Sequence, residues 1–134
     1  MVVTQEECSI IEFEPIKNNN GYIFYKVYIN GKCQFDKFEK EIEKDKNMKG
    51  DLARIYTIMT LYQDNPPLPP KMFRHLTLGK GQRPDLYEFK SKYLRVYVIK
   101  HDKTFYIVRG GMKKDQDKDL KYIKDNLSKI YQQP

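Results

Sequence analysis

The fold is decided by residues 85–114, whose sequence is DLYEFKSKYLRVYVIKHDKTFYIVRGGMKK. The stretch contains three apolar and aromatic segments, residues 85–90, 93–100 and 104–109, separated by connections of two and three residues. Segments of this length that are rich in Val, Ile, Tyr and Phe are typical of β-strands, and such short connections favour hairpins. The stretch therefore predicts a three-stranded antiparallel meander that ends at Gly110-Gly111.

The chain before the meander predicts a β-hairpin followed by a helical hairpin. Residues 9–16 alternate apolar and acidic side chains, residues 22–29 are β-branched and aromatic, and the turn signal NNNG lies between them. Residues 34–48 predict a helix, because their apolar side chains recur at helical spacing. Gly50 breaks that helix, and Asp51 is placed to cap a second one. The second helix carries an apolar stripe formed by Leu52, Ile55, Tyr56, Met59 and Tyr62.

The remaining segments complete the order of elements. Residues 65–70, with the sequence NPPLPP, stop the second helix. A short element at residues 72–78 and a polar loop at 79–84 then lead into the meander. Residues 115–131 predict a C-terminal helix, because apolar side chains recur on one face. The order predicts an α+β domain in which a twisted, mainly antiparallel sheet (the N-terminal hairpin plus the three-stranded meander) carries the helical hairpin and the C-terminal helix on one face.

Length and composition set the class of protein. A chain of 134 residues corresponds to one domain, and 18 aromatic side chains disfavour disorder. No apolar run is long enough to cross a membrane, and the polar N-terminus lacks the features of a signal peptide, so we expect a cytoplasmic protein. Cys8 and Cys33 have no metal or disulfide spacing and are expected to be reduced, partly buried thiols. No motif for a metal or a cofactor is found, and we expect neither.

The positive charge is concentrated in one part of the chain. The net charge is +7, but residues 71–114 alone hold 12 basic and 3 acidic side chains, an excess of 9. Such a segment attracts polyanions, and its interleaved aromatic side chains suit nucleic acid, since bases stack and phosphates pair with cations. The alternative is a basic surface without a specific partner, on which the aromatic residues serve only as strand formers.

Side-chain alternation divides the meander between the two faces of the sheet. The apolar set of its middle strand is Leu94, Val96 and Val98. Arg95 and Tyr97 must lie on the other face, which we expect to be open and to be shared with Lys90. Three further cations are expected to rim this face: Arg109, Lys113 and Lys114. The alternative is that Glu88 and Arg95 form a cross-strand ion pair and nothing more.

Three motifs in this region resemble the RelE/ParE superfamily of bacterial toxins, in particular its RelE/HigB-like branch. They are Tyr87-Glu88-Phe89-Lys90, Tyr93-Leu94-Arg95-Val96 and Gly110-Gly111-Met112-Lys113-Lys114-Asp115-Gln116. The similarity extends over residues 86–127, about a third of the chain, and a helical hairpin before a meander also matches the family. On this basis residues 1–134 form a single RelE-like domain, with residues 1–33 as an N-terminal β-hairpin extension, or as the source of the first strand with one extra, and 34–134 as the toxin core.

The resemblance implies an mRNA interferase, the toxin of a type II toxin–antitoxin pair. Such a toxin cleaves mRNA on the ribosome and is neutralised by a cognate antitoxin protein; it uses no metal or small-molecule cofactor. The ribose 2′-OH attacks its own 3′-phosphate, giving a 2′,3′-cyclic phosphate and a 5′-OH. The enzyme must orient the hydroxyl, move two protons and stabilise the added negative charge.

The resemblance also assigns roles to individual residues. Arg95 matches the strand arginine of the family and is expected to stabilise the phosphate. Lys113 and Lys114 match the basic pair after the last strand, and one is expected to contact the scissile phosphate. His75 is a candidate general base, because the ordinary pKa of histidine is about 6.5. RNA contacts are expected at Lys90, Lys92, Tyr97, Arg109 and Arg83.

The sequence leaves two other functions open. A ParE-like toxin of the same fold would bind gyrase and need no catalytic residues. A basic, non-catalytic binding module of the same fold is the other alternative, which the N-terminal hairpin leaves open because the minimal toxin lacks it. The positions at which RelE has catalytic strand lysines hold Leu86 and Glu88 here, which bears on catalysis more than on the fold.

Overall fold

A computed structural model describes the backbone of residues 11–17, 21–64, 67–77 and 85–131, with side chains from residue 21 to residue 126 within these ranges. The fold is α+β, as predicted. The strands are β1 (Ile11–Lys17), β2 (Ile23–Ile29), β3 (Lys32–Cys33), β4 (Phe73–His75), β5 (Leu86–Lys90), β6 (Leu94–His101) and β7 (Thr104–Met112). The helices are α1 (Gln34–Glu43), α2 (Lys49–Thr60) and α3 (Gln116–Tyr131), the last preceded by a 3₁₀ turn at Lys113–Asp115.

The strands form one sheet with the order β1-β2-β7-β6-β5-β4, and the short β3 pairs with β2. The predicted meander β5-β6-β7 is confirmed, with both pairs antiparallel. β2 pairs with β7 in parallel, which places β1 at the edge. The N-terminal hairpin therefore extends the meander by two strands: β2, which pairs with β7, and β1, which lies outside β2.

Helices cover both faces of the sheet. Side chains of α1 and α2 form one core with one face, which includes Phe38, Ile55 and Val96. On the opposite face Tyr97 and Ile123 belong to a second cluster. The prediction of helices on one face was wrong. The physical reason is that β6 carries large apolar side chains on both sides, Val96 on one and Tyr97 and Ile99 on the other, so that each side must be shielded from water.

Several predicted boundaries also needed correction. α1 ends at Glu43 rather than at residue 48, and Gly50 lies inside α2 instead of between the helices. Met48 is the N-cap of α2, and Asp51 does not cap it; the carboxylate of Asp51 instead accepts hydrogen bonds from Ser91 Oγ and the Tyr93 amide, at 2.6 and 3.0 Å. α2 is thereby tied to the β5–β6 turn.

β7 continues through the glycine pair that was expected to end it. A Cβ atom on Gly110 would lie 2.6 Å from Phe38 Cγ, and one on Gly111 would lie 2.8 Å from Asp119 Cγ. The two glycines therefore let β7 run close beneath α1 on one face and α3 on the other.

The turn between β2 and β3 follows directly from its sequence. Asn30 and Gly31 have φ values of 52° and 78°, the positive pair that a type I′ turn requires. The turn delivers Cys33 to the start of α1, where its buried sulfur accepts a hydrogen bond from the Asp36 amide at 3.4 Å. Burial raises the pKa of this thiol. Cys8 lies outside the described residues.

Candidate functional site

Four cations from different segments lie near one another at the ends of β5 and β7, and two of them pair with one carboxylate. We call this group the cationic cluster; its members are Arg74, Lys90, Arg95, Lys113 and Glu88. Arg74 lies opposite Glu88 in the β4–β5 pair, and Lys90 lies opposite Arg95 in the β5–β6 pair. The amide of Lys113 donates a hydrogen bond of 2.7 Å to the carbonyl of Tyr93, which fixes the 3₁₀ turn beside β6.

Glu88 is the buried centre of the cluster, with 0% of its surface exposed. Its Oε2 lies 2.9 Å from Arg74 Nη2, and its Oε1 lies 3.2 Å from Arg95 Nε. Gln116, in the first turn of α3, donates an amide hydrogen bond of 3.0 Å to the same Oε1. A fully buried carboxylate is tolerated only when it is paired in this way. Glu88 therefore links β4, β6 and α3.

Arg95 does not lie on an open face, and the prediction that it does was wrong. Only 5% of its surface is exposed. Its Nη1 donates hydrogen bonds of 2.8 Å to the carbonyls of Ser91 and Leu94, and its Nε faces Glu88. The alternation of β6 was predicted correctly, but α3 covers the face on which Arg95 lies. The ion pair with Glu88, considered as the alternative, is present.

Tyr97 shares this correction. It is fully buried in the cluster beneath α3 rather than exposed for stacking on a base. Burial raises the pKa of Tyr97, and the nearby carboxylates of Asp119 and Glu88 raise it further. A buried, protonated phenol in this position supports the packing of α3.

The electrostatic balance of the cluster favours an anionic ligand. Lys90 is subject to the charges of three other cations, Arg74, Arg95 and Lys113, and of one carboxylate, Glu88, which leaves a local excess of positive charge. The pKa of Lys90 is lowered, chiefly by burial. The positive charges of Arg74, Arg95 and Lys113 lower this pKa further, whereas the negative charge of Glu88 raises it. A phosphate placed here would relieve the repulsion between the cations.

The cluster has an accessible rim. Lys113 and Lys114 are exposed in the 3₁₀ turn after β7. Lys92 is exposed in the β5–β6 turn, where its Nζ lies 5.1 Å from the centre of the Tyr93 ring. Tyr93 is itself 43% exposed, the largest exposure among the tyrosine and phenylalanine side chains that the structure describes. The rim thus combines cations with one aromatic surface.

Arg109 was predicted as an exposed rim residue, and this was wrong. Its Nε lies 2.7 Å from Asp119 Oδ1, its Nη1 donates to Gln34 Oε1 at 2.9 Å, and its guanidinium stacks 4.2 Å from the centre of the Tyr122 ring. These contacts tie α3 to β7 and α1. Because α3 lies over it, the Arg109 guanidinium contacts other side chains of the protein rather than solvent.

Asp119 was not identified from the sequence as a functional or buried residue. Only 3% of its surface is exposed. Burial raises its pKa, against the lowering effect of the hydrogen bond from Arg109. Its Oδ2 packs on Gly111 without a hydrogen-bond partner among the described residues. The signal that could have revealed it is its helical spacing: Asp119 lies four residues before the buried Ile123, on the same face of α3.

His75 is not brought into the cluster. It lies on the edge strand β4, exposed, with its ring 5.1 Å from the centre of the Tyr87 ring. Its neighbour Arg74 reaches Glu88, so alternation directs His75 to the opposite face. Arg83 lies outside the described residues. Arg74 and Gln116 are members of the site that the sequence analysis missed.

The comparisons with known proteins found no relatives. No family model matches the chain, and no curated protein or solved structure matches it significantly. Within the described residues, no group of three or more His, Cys, Asp or Glu side chains could hold a metal ion. None of the described helices is both long and apolar enough to span a membrane.

Proposed function

We propose that the protein binds RNA at the cationic cluster. The observation that carries this proposal is the grouping of Arg74, Lys90, Arg95 and Lys113 around a single buried carboxylate, which pairs with only two of them, beside exposed lysines and an exposed tyrosine. Cations bind the phosphates of a nucleic acid, and an exposed aromatic ring stacks on an unpaired base. The RelE/HigB-like motifs favour RNA over other polyanions.

We propose further that the bound RNA is cleaved, and that the protein is the toxin of a type II toxin–antitoxin pair. It would act in the cytoplasm on mRNA at the ribosome, and the acidic segment of a cognate antitoxin would cover the cluster. In the reaction the 2′-oxygen bonds to phosphorus while the bond from phosphorus to the 5′-oxygen breaks. The 2′-hydroxyl loses a proton to a base, and the leaving 5′-oxygen gains one.

The residues of the cluster fit different parts of this reaction. Lys113, which is exposed, is suited to contact the phosphate and offset its added negative charge. Lys90, whose pKa is lowered, gives up a proton more readily than an ordinary lysine and is suited to protonate the leaving oxygen. Arg95 contributes positive charge from beneath, and its hydrogen bonds to the Ser91 and Leu94 carbonyls hold its guanidinium beside the Glu88 carboxylate.

One observation favours a second function, a non-catalytic binding module. Arg95, which resembles the strand arginine of the RelE family, is buried, its Nη1 donates to two backbone carbonyls, and its Nε lies 3.2 Å from the Glu88 carboxylate; His75 lies on the other face of the sheet. A cluster that binds phosphate without a base for the 2′-hydroxyl would hold RNA without cutting it.

The test is to induce the wild type and the double variant Lys90→Ala/Lys113→Ala in a bacterial host and to map mRNA 5′ ends by primer extension. Lys37→Ala is the matched control, because Lys37 is an exposed lysine of α1 outside the cluster. We expect new ends within coding frames for the wild type and the control but not for the double variant. A thermal melt establishes that the double variant is folded.

The other outcomes separate the alternatives. Growth arrest without new 5′ ends would contradict cleavage and favour a target such as gyrase. Normal growth with RNA binding retained in vitro would favour the non-catalytic module. New ends that persist in the folded double variant would remove the cluster from the reaction.

A further inference from the structure

A cleft with a volume of about 390 Å³ lies between α2, the start of β4 and the β5–β6 turn. We call it the α2 cleft. Its lining consists of Asp51, Arg54, Ile58, Lys71, Met72, Lys90, Ser91 and Lys92. It shares Lys90 with the cationic cluster and otherwise uses different residues. The two sites therefore meet at Lys90, at the end of β5, although α2 and α3 lie on opposite faces of the sheet.

The α2 cleft carries an excess of positive charge. Four of its lining side chains are cations, namely Arg54, Lys71, Lys90 and Lys92, and one is a carboxylate. That carboxylate, Asp51, already accepts hydrogen bonds from Ser91 Oγ and the Tyr93 amide. No ion pair joins any of the four cations to a carboxylate in the part of the chain that the structure describes. An anionic group entering the cleft would find donors that are not yet engaged in ion pairs.

The walls of the α2 cleft are held in place by local hydrogen bonds. Ser91 Oγ, fixed by Asp51, also accepts from the Leu94 amide at 3.3 Å. The Lys90 amide donates to the Met72 carbonyl at 2.8 Å, which joins the start of β4 to the end of β5. A site whose backbone is fixed in advance loses less entropy when a ligand binds.

The α2 cleft also has an apolar part, supplied by the buried Ile58 and the half-buried Met72. A ligand that matches the cleft therefore combines an anionic group with a flat or apolar body. The volume is near the lower end of small-molecule sites, which span roughly 300–1,000 Å³. It suits a single nucleotide.

We propose that the α2 cleft binds one unpaired nucleotide of the RNA strand whose neighbouring phosphate lies at the cationic cluster. Its phosphate is held by Arg54 and Lys71, its sugar and base lie against Ile58 and Met72, and Lys90 bridges the two sites. This inference rests on the proposed RNA binding. It adds that the RNA is recognised as a single strand.

The experiment measures binding of a fluorescently labelled eight-nucleotide single-stranded RNA by anisotropy. Arg54→Ala/Lys71→Ala tests the cleft, Arg74→Ala/Lys113→Ala tests the cluster, and Lys37→Ala is the control. The residues of both pairs are exposed, so that the folds are expected to persist. We expect each double variant to weaken binding roughly tenfold or more, the effect of losing charge-assisted hydrogen bonds.

The outcomes distinguish this inference from the function on which it rests. If only the cluster variant weakens binding, the cleft proposal is overturned and RNA binding stands. If neither variant weakens binding, both fall. An RNA duplex of the same sequence is expected to be insensitive to Arg54→Ala/Lys71→Ala, and equal sensitivity would contradict recognition of a single strand.

A final arm separates a nucleotide within RNA from a free one. Uridine 5′-monophosphate is titrated against the wild type and Arg54→Ala/Lys71→Ala. We expect it to bind far more weakly than the RNA, because it cannot reach the cluster as well. Binding as tight as that of the RNA, and lost in the variant, would overturn the link to the strand and assign the cleft to free nucleotides.

Discussion

Glu88 gives the sharpest test of how the candidate site is held together. The change is Glu88→Gln, which keeps the shape of the side chain and removes its charge. Glu88 is fully buried, and its partner Arg95 is 5% exposed, so the variant leaves a buried guanidinium without its counter-charge. Breaking a buried pair by removing one partner costs about 3–5 kcal/mol. Because Gln retains an oxygen that accepts hydrogen bonds, we expect a loss of about 3 kcal/mol.

Two further variants define the source of that loss. Arg74 makes the other ion pair of Glu88, but its side chain is 49% exposed, so Arg74→Ala is expected to cost less than about 1 kcal/mol. Replacing the buried pair together, Glu88→Leu with Arg95→Met, is expected to be close to neutral, because neither buried charge remains unpaired.

The assay is urea unfolding followed by far-ultraviolet circular dichroism, since the chain contains no tryptophan. The free energy of unfolding is compared among the wild type and the three variants. A Glu88→Gln protein within about 1 kcal/mol of the wild type, or no more destabilised than Arg74→Ala, would refute the claim that a buried ion pair centres the site.

Three further predictions follow from single contacts. Gly111→Ala places a methyl group 2.8 Å from Asp119 Cγ and is expected to cost about 1–3 kcal/mol in urea unfolding; an unchanged midpoint would show that α3 does not pack closely on β7. Because burial and neighbouring cations lower the pKa of Lys90, RNA affinity is expected to fall as the pH rises toward 10.5, and to fall less in Lys90→Arg; coincident anisotropy profiles would contradict this. Burial raises the pKa of Asp36, but hydrogen bonds from Lys26 and Tyr28 outweigh it and leave the pKa below 3.8. The stabilisation from Asp36 is therefore present above pH 3.8 and is lost as the pH falls through the lowered pKa. The difference in free energy of unfolding between the wild type and Asp36→Asn should close in acid. A difference that is constant with pH would contradict this role of Asp36.

The fold was largely predictable because it follows from local patterns. Alternation, turn residues and helical spacing gave the strands of the meander, the N-terminal hairpin and the three helices. The sequence pattern also divided β6 correctly, with Val96 on one face and Arg95 and Tyr97 on the other. These features depend on residues close together in the chain.

The candidate site was less predictable because it depends on which helix covers which face. The arginine of β6 was expected to be exposed, since arginine is usually exposed. In the fold, α3 lies over Arg95, and Glu88 compensates its charge. Arg109 is engaged by Asp119 for the same reason. No local sequence pattern indicates that the C-terminal helix packs on the face of the sheet opposite to the helical hairpin.

The central claim, that RNA phosphates bind at the cationic cluster, is tested most directly by the salt dependence of RNA affinity. For single strands the slope of log K against log salt is about −0.7 for each phosphate contact. Lys90→Ala/Lys113→Ala removes two contacts and is expected to make the slope shallower by about 1.4, while Lys37→Ala leaves it unchanged. A slope and an affinity equal to those of the wild type in the folded double variant would contradict the account.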